Sequence, residues 1–334
     1  MKGNLPAIAI HAKTLPEAWE KSVLGVWKQG IAVHTHYDKK DKQGNFIDPP
    51  SIEATVMVHV ENPFNEPRIH KNFPGGPAEL ETYRQEVVLG IHNHWIEPGS
   101  TKWTYTYNER LTAYTPSEDL NAKDRGALIS KNKLRDLLSK NPSLNEIKQA
   151  LENKVLDLSP INQIDEVIED LKRDITSKGA QATTWMPTAD PGLESNRPCL
   201  QRLWFRPLAA EINGKEGYLL NLNTHWRSRD LYKGWFMNAY AITDFQRLIA
   251  ERLEKEINMP VKVGCYIDIS DSLHLYGAYT DSRTQEGKDF QEEIERMKKI
   301  PLKKRTWRSD NEGFSNATEE QVRLLAENPD YMKS

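Results

Sequence analysis

A long apolar helical stripe followed closely by a strictly alternating segment constrains this chain most. From Asn238 onward, Ala241, Ile242, Phe245, Leu248, Ile249 and Leu253 recur at three- and four-residue steps, so one face of a long helix is apolar. Val261, Val263, Cys265, Ile267 and Ile269 then occupy every second position, the period of a strand with one buried face. Cys265 is therefore expected to point into the core with its valine neighbours. A helix and a strand that must each hide one face are satisfied together when helices pack on a sheet.

Other segments agree with a mixed sheet flanked by helices. Residues 54–60 alternate as a strand, residues 201–206 and 217–224 are strand candidates, and His274-Leu275-Tyr276 reads as another short strand. A polar loop with Lys39, Lys40 and Lys42 precedes the first of these. Pro77 opens a predicted helix running toward Trp95, with Leu80, Tyr83, Val87, Ile91 and Trp95 on its buried face. Glu86 lies beside that stripe, either at the edge of a cavity or on a solvated surface. Residues 116–176 change character, with many Lys, Glu, Asp and Leu and few aromatics. Ser143-Leu144-Asn145-Glu146 has the form of a capping box, and Ser159-Pro160 starts another helix through Val167, Ile168 and Leu171. The expected class is α+β: one domain over residues 1–334, with a helical insertion at 116–176.

Composition narrows the function. With 334 residues and 38% apolar content the chain can build a large core. A net charge of -3 gives no global field toward DNA or anionic lipid. Two cysteines indicate no disulfide framework and suit a reducing cytosol, so a cytoplasmic location is expected. The first residues lack a long apolar stretch, so no signal peptide is expected, and no segment approaches the ~20 apolar residues of a membrane helix. Neither G-x-G-x-x-G nor G-x-x-x-x-G-K-[ST] occurs. The pairs His34-x-His36 and His92-x-His94 have no matching Cys or His pair nearby, so no metal is expected. The run from Lys298 to Arg305 reads as a solvated tail, with phosphate, polyglutamate or RNA as the other occupants of such a stretch.

Two polar clusters carry the chemistry. Cys199 sits in Asn196-Arg197-Pro198-Cys199-Leu200-Gln201, and Trp226-Arg227-Ser228-Arg229-Asp230 follows. A thiol attacks as thiolate, which a nearby cation favours. An arginine beside a serine offers a forked cation and a hydroxyl, a match to phosphate. A nucleophile near a phosphate anchor suggests covalent chemistry on a nucleotide. The plain alternative is a lone cysteine packed as a small hydrophobe.

In order and spacing, the stretch from Trp185 to Tyr276 resembles the folate-dependent, cysteine-nucleophile thymidylate synthase family. Pro198-Cys199 is similar to that family's active-site turn. Arg227-Ser228-Arg229-Asp230, Gly234 and Asn238 resemble its Arg-Ser-x-Asp, Gly, Asn series. The segment from Ser270 to Tyr276 resembles Gly-Asp-x-His-x-Tyr with one extra residue before the histidine, and Tyr83-Arg84-Gln85-Glu86 resembles the helix with the catalytic glutamate. The chain departs from the family's pattern in several places. Leu200 and Trp226 stand where the family has His and Gln, and the Arg-rich N-terminal phosphate loop is not evident, with His34 to Lys40 in its place. The paired arginines that reach across the dimer are missing, leaving Lys178 at a comparable distance before Trp185, and the tail from Pro301 differs.

The resemblance implies a mixed-sheet enzyme acting on a pyrimidine nucleoside monophosphate, with 5,10-methylenetetrahydrofolate or a related reduced pterin, as a homodimer. It makes Cys199 the nucleophile, Glu86 the proton-transfer group and Asn238 the reader of the base edge. An amide there suits uracil and also serves cytosine when flipped; without the resemblance Asn238 reads as a helix cap. By the same resemblance, Arg227 and Ser228 bind phosphate, with Lys178 as a possible donor from a second subunit; His274 and Tyr276 bind the sugar; Asp230, Gly234 and Trp103 form the folate side, and Asp230 also counts as catalytic. The expected activity is thymidylate synthesis, with pyrimidine-nucleotide hydroxymethylation as the alternative and a non-catalytic nucleotide- or RNA-binding relative as the third.

Overall fold

The structure is a computed structural model that describes residues 3–36, 38–96, 103–114, 140, 143–146, 160–187, 189–193 and 196–328, the last helix by its backbone alone at 312–318 and 325. Its centre is a seven-stranded mixed sheet. The strands are β1 (Ala7–Ala12), β2 (Ile31–Val33), β3 (Ser51–Val60), β5 (Gln181–Thr183), β6 (Leu200–Ile212), β7 (Lys215–Asp230) and β8 (Val261–Leu275). They run in the order β1-β3-β8-β7-β6-β5, with β2 also on β3. β1 lies parallel to β3 and β7 parallel to β8; the other pairings are antiparallel. A two-stranded ribbon joins β4 (Ile69–His70) to β9 (Thr306–Trp307).

α1 (Leu15–Gln29) and α5 (Gly234–Ile257) pack on the sheet, and α2 (Gly76–Leu89) packs on α5. Thr14 caps α1 by accepting from Glu17 N–H. The core between them holds Trp19, Val56, Val58, Leu203, Phe205, Leu222, Trp226, Trp235, Phe236 and Phe245, all buried. The remaining helices are α3 (Tyr107–Thr112), α4 (Gln163–Arg173), α6 (Gly277–Thr280), α7 (Gln285–Lys299) and α8 (Glu312–Glu327).

Several sequence expectations are corrected. The predicted helix from Pro77 toward Trp95 ends at Leu89, because Gly90 takes a left-handed conformation (φ 68°) and reverses the chain; Asn93–Trp95 is a separate 3₁₀ turn. The helix expected from Asn238 starts one turn earlier, at Gly234, so Asn238 lies inside it and caps nothing. His274 and Leu275 end the 15-residue β8 and are not a strand of their own. The alternation in β8 faces the other way: Gly264, Tyr266, Asp268 and Ser270 are buried, while Val263, Cys265, Ile267 and Ile269 lie on the half-open outer face. Cys265 there donates to Asn221 Oδ1 at 3.2 Å. The helix expected from Ser159 begins after Asn162, whose side chain caps it.

Most of 116–176 lies outside the described residues. Where it is described, Ser143 and Glu146 form the reciprocal capping bonds (2.8 and 3.3 Å), and Tyr114 and Ile161 pair as an isolated bridge where the segment leaves and returns. The basic run is not all solvated tail. Lys298 and Lys299 pair with Glu295, whereas Arg305 is buried and forks onto Glu20, which also holds His70 at 2.7 Å. That clasp ties the C-terminal segment to α1.

Candidate active site

The site lies where β6 begins and β7 ends. The β6–β7 pairing sets Leu200 opposite Trp226, and Arg227 N–H donates to Cys199 O at 2.9 Å. The Arg227 guanidinium then folds back on the turn before the cysteine, donating to Pro198 O (3.0 Å) and Arg197 O (2.8 Å). Two of its nitrogens thus order the cysteine's turn, and Nη1 carries no hydrogen bond among the described residues. Ser228 is half-buried beside it, opposite Ser272 on β8.

Cys199 is half-buried. Burial pushes its thiol above the ordinary value, and the Arg227 and Arg229 cations oppose that shift. Around the sulfur stand Tyr105 and Tyr107. Burial first, and the nearby Cys199 among the charges, keep both phenols protonated well above their usual range. Tyr107 packs edge-on against Trp226 at 5.7 Å, and its hydroxyl accepts from Leu200 N–H at 3.4 Å. Beyond them is Tyr83 on α2, whose hydroxyl accepts from Asn238 Nδ2 at 2.5 Å. Tyr83 adjoins Glu86, one turn further along α2. Glu86 is not a free surface carboxylate: its Oε2 meets His92 Nδ1 at 2.8 Å. The chain therefore gathers Cys199, Tyr105, Tyr107, Tyr83, Asn238 and Glu86 as successive neighbours.

Beneath this group runs a buried polar network. Asp268 is fully buried on β8 and takes Arg229 Nη2, Trp235 Nε1 (3.2 Å) and Ser270 Oγ (3.3 Å) on one oxygen. The other oxygen takes Tyr266 Oη (2.6 Å) and Thr224 Oγ1 (3.4 Å). Arg229 stacks over the Trp226 ring at 4.2 Å. A second charge therefore sits near the thiol, fixed by the Asp268 carboxylate.

Asp230 accepts the backbone N–H groups of Tyr232 (2.9 Å), Lys233 (3.2 Å) and Gly234 (3.3 Å) and so starts α5. Burial raises its pKa, with those donors and His274 opposing. A carboxylate accepts about four hydrogen bonds, so room for one more donor remains. An added Cβ at Gly234 would lie 3.6 Å from Asp230 Cβ, ordinary contact, so the chain itself does not fill that space. His274 lies beside Asp230 and Glu53; Ser272 Oγ donates to Glu53 Oε2 at 2.8 Å and sits 3.4 Å from His274 Nδ1. Burial lowers the His274 pKa, opposed by Asp230. Tyr276 is 46% exposed at the rim and meets the His274 ring edge-on at 4.8 Å. Trp103, half-buried, is edge-on to Trp95 (4.7 Å) and His92 (6.0 Å).

Lys178 is not brought into this group. It is exposed before β5, which pairs from Gln181↔Trp204, so several β6 residues separate it from Cys199 within one chain. Sequence reasoning had given no site role to Tyr105, Tyr107, Tyr83, His92, Arg229 and Asp268. The spacing Tyr105-x-Tyr107, two aromatics on one side of an extended segment, was a usable signal. Asp268 left none, since only the tertiary structure shows five donors converging on it.

The fold is a seven-stranded mixed sheet flanked by helices, with a cysteine on a turn held by arginine and an amide held by a tyrosine nearby. The thymidylate synthase family model matches residues 116–326, which include Cys199, Arg227, Asp230, Asn238 and His274. The chain belongs to the thymidylate synthase family. Proteins named "Putative thymidylate synthase" from Methanosarcina mazei and Methanocaldococcus jannaschii are each 22% identical to it. Their alignments span 267 and 273 residues, 80% of this chain in both cases and 88% and 90% of theirs. One of that name from Methanothermobacter marburgensis is 32% identical over 117 residues, 35% of this chain and 45% of its own. The thermostable thymidylate synthase A from Bacillus subtilis shares the fold, with a TM-score of 0.50, 16% identity and coverage of 85% of this chain and 84% of that one. Among the described residues no helix is long and apolar enough to cross a membrane.

Proposed function

We propose that the protein transfers a one-carbon unit to carbon 5 of a pyrimidine nucleoside monophosphate through a Cys199 adduct, with dUMP methylation to dTMP as its reaction. The observation that carries this reading is the Cys199 turn itself. Arg227 orders it, Arg229 lies near it, and Tyr83, held by Asn238 and beside Glu86, lies beyond Tyr105 and Tyr107.

The Cys199 sulfur adds its electron pair to carbon 6, and the ring's double-bond pair moves onto the carbon 4 carbonyl as an enolate. Asn238, already held by Tyr83, reads the base edge and hydrogen-bonds the ring as charge develops. Carbon 5, now electron-rich, takes the one-carbon unit; Glu86 accepts and returns protons, and sulfur departs as the ring double bond re-forms. A reduced folate, when bound, supplies the one-carbon unit and, in methylation, the hydride. Asp230's remaining acceptor site, the open space at Gly234 and the half-buried Trp103 suit its flat, N–H-bearing ring. Nη1 of Arg227 and the Ser228 hydroxyl are the phosphate donors, and His274 with Tyr276 lies toward the sugar.

The test uses dUMP, dCMP, UMP and CMP tritiated at carbon 5, with methylenetetrahydrofolate. Tritium release from dUMP with dihydrofolate formed is the expected result. Release with tetrahydrofolate retained assigns hydroxymethylation instead, and no release from any of the four overturns the enzyme reading.

We also propose a homodimer through the outer sheet face. Met57 (42%) is exposed there opposite half-open Ile269, and Leu208 (52%) opposite Leu219 (38%), two apolar pairs on one sheet. A second copy supplies an equally flat apolar face. Sedimentation equilibrium is expected to give twice the chain mass, and a monomer at micromolar concentration overturns this assignment.

A further inference from the structure

We propose that His92 is a positioning residue for Glu86, holding one carboxylate oxygen so that the other is presented to the reaction. The inference rests on the reading of Glu86 as the proton-transfer group.

Glu86 Oε2 is taken by His92 Nδ1 at 2.8 Å, and Oε1 has no hydrogen-bond partner among the described residues. The Glu86 side chain is 18% exposed and that of His92 only 3%, so the carboxylate reaches accessible space and the imidazole does not. The ring is fixed in plane: Trp95 stacks on it at 3.6 Å and 10°, and Trp103 meets it edge-on. The turn that delivers it is braced as well. Gly90 in its left-handed conformation ends α2, and a Cβ there would strike the Asn108 side chain. Asn108 in turn holds Asn93 Nδ2 (2.9 Å) and donates to Val87 O (3.0 Å).

His92 Nε2 is buried and unpartnered among the described residues. A buried polar atom without a partner is costly, so this placement needs a compensating role. Glu86, Tyr105 and Arg229 are the titratable or charged groups around Tyr83. Both phenols stay protonated through burial. The logic is that of a base oriented by a third group.

His92→Phe removes the donor and keeps a flat ring for Trp95. It is expected to lower kcat for tritium release by about 10–100-fold, the usual effect of losing such an orienting partner. The nucleotide KM stays within about twofold, since no substrate contact is lost. His92→Asn, with an amide N–H near the Nδ1 place, restores most of kcat. A Phe variant with wild-type kcat, or an Asn variant as damaged as Phe, overturns the inference. Glu86→Gln separates the two claims. If it is fully active, the reading of Glu86 fails; if it is inactive while His92→Phe is unimpaired, only the present inference fails. Nitrogen-15 histidine NMR of the whole protein gives a readout free of activity. The signal lost in His92→Asn is expected to show Nδ1 protonated and Nε2 bare, and a bare Nδ1 overturns the proposal.

Discussion

Cys199→Ser is expected to lower tritium release from carbon 5 by about 10⁴-fold or more, the scale on which removing a covalent nucleophile acts. A serine hydroxyl keeps the shape of the turn, and the bonds from Arg227 to Pro198 O and Arg197 O do not involve the sulfur. Nucleotide binding and stability should therefore survive, so the loss reports chemistry. Full activity in that variant refutes the covalent route. The state of the thiol adds a pH signature. Burial raises the Cys199 pKa, with Arg227 and Arg229 opposing, so the folded protein holds this proton more tightly than a free thiol does. Its alkylation by iodoacetamide should keep climbing with pH where a free thiol's curve has levelled off. Arg227→Gln, with one opposing cation removed, should push that curve higher still. An alkylation curve that levels off below the usual thiol range removes this account.

Asp268→Ala is expected to cost about 3–5 kcal/mol of stability, because it leaves the buried Arg229 charge without its partner. Trp235, Tyr266, Ser270 and Thr224 lose an acceptor at the same time. Urea unfolding measures the cost. The double variant Arg229→Met with Asp268→Leu should recover much of it, since removing both charges of a buried pair is far milder than removing one. A single Ala variant within about 1 kcal/mol of wild type would show that water compensates the site, against the burial found here. The same change should also weaken catalysis, because Arg229 is one of the two cations near Cys199.

How much of this was legible before folding differs from residue to residue. The strand around 54–60 and the long apolar stripe after Asn238 were readable, because a period of 2 or 3.6 survives in the chain itself. Cys199, Arg227, Asp230 and Asn238 were expectations of the family resemblance, and the structure sets them on the turn before β6, on β7 and on α5. What failed was facing. The β8 alternation correctly gave a strand and gave the wrong side, since Tyr266, Asp268 and Ser270 are the buried set. Polar residues go inward there because a buried arginine on β7 needs them, and their apolar neighbours are left on the outer face. The end of α2 was missed because the stripe Leu80 to Trp95 keeps its period across Gly90, while the backbone does not.

The sequence alone determined the strands around 54–60 and 217–224, the apolar stripe after Asn238 and the order of the polar residues behind Cys199, because these depend on local period and spacing. Only the tertiary structure decided that His92 returns to Glu86, that Asp268 gathers five donors, and that Tyr83 meets Asn238. Those contacts join residues distant in the chain or brought back by a turn, and their energies exist only once helix and sheet have closed over them and excluded water.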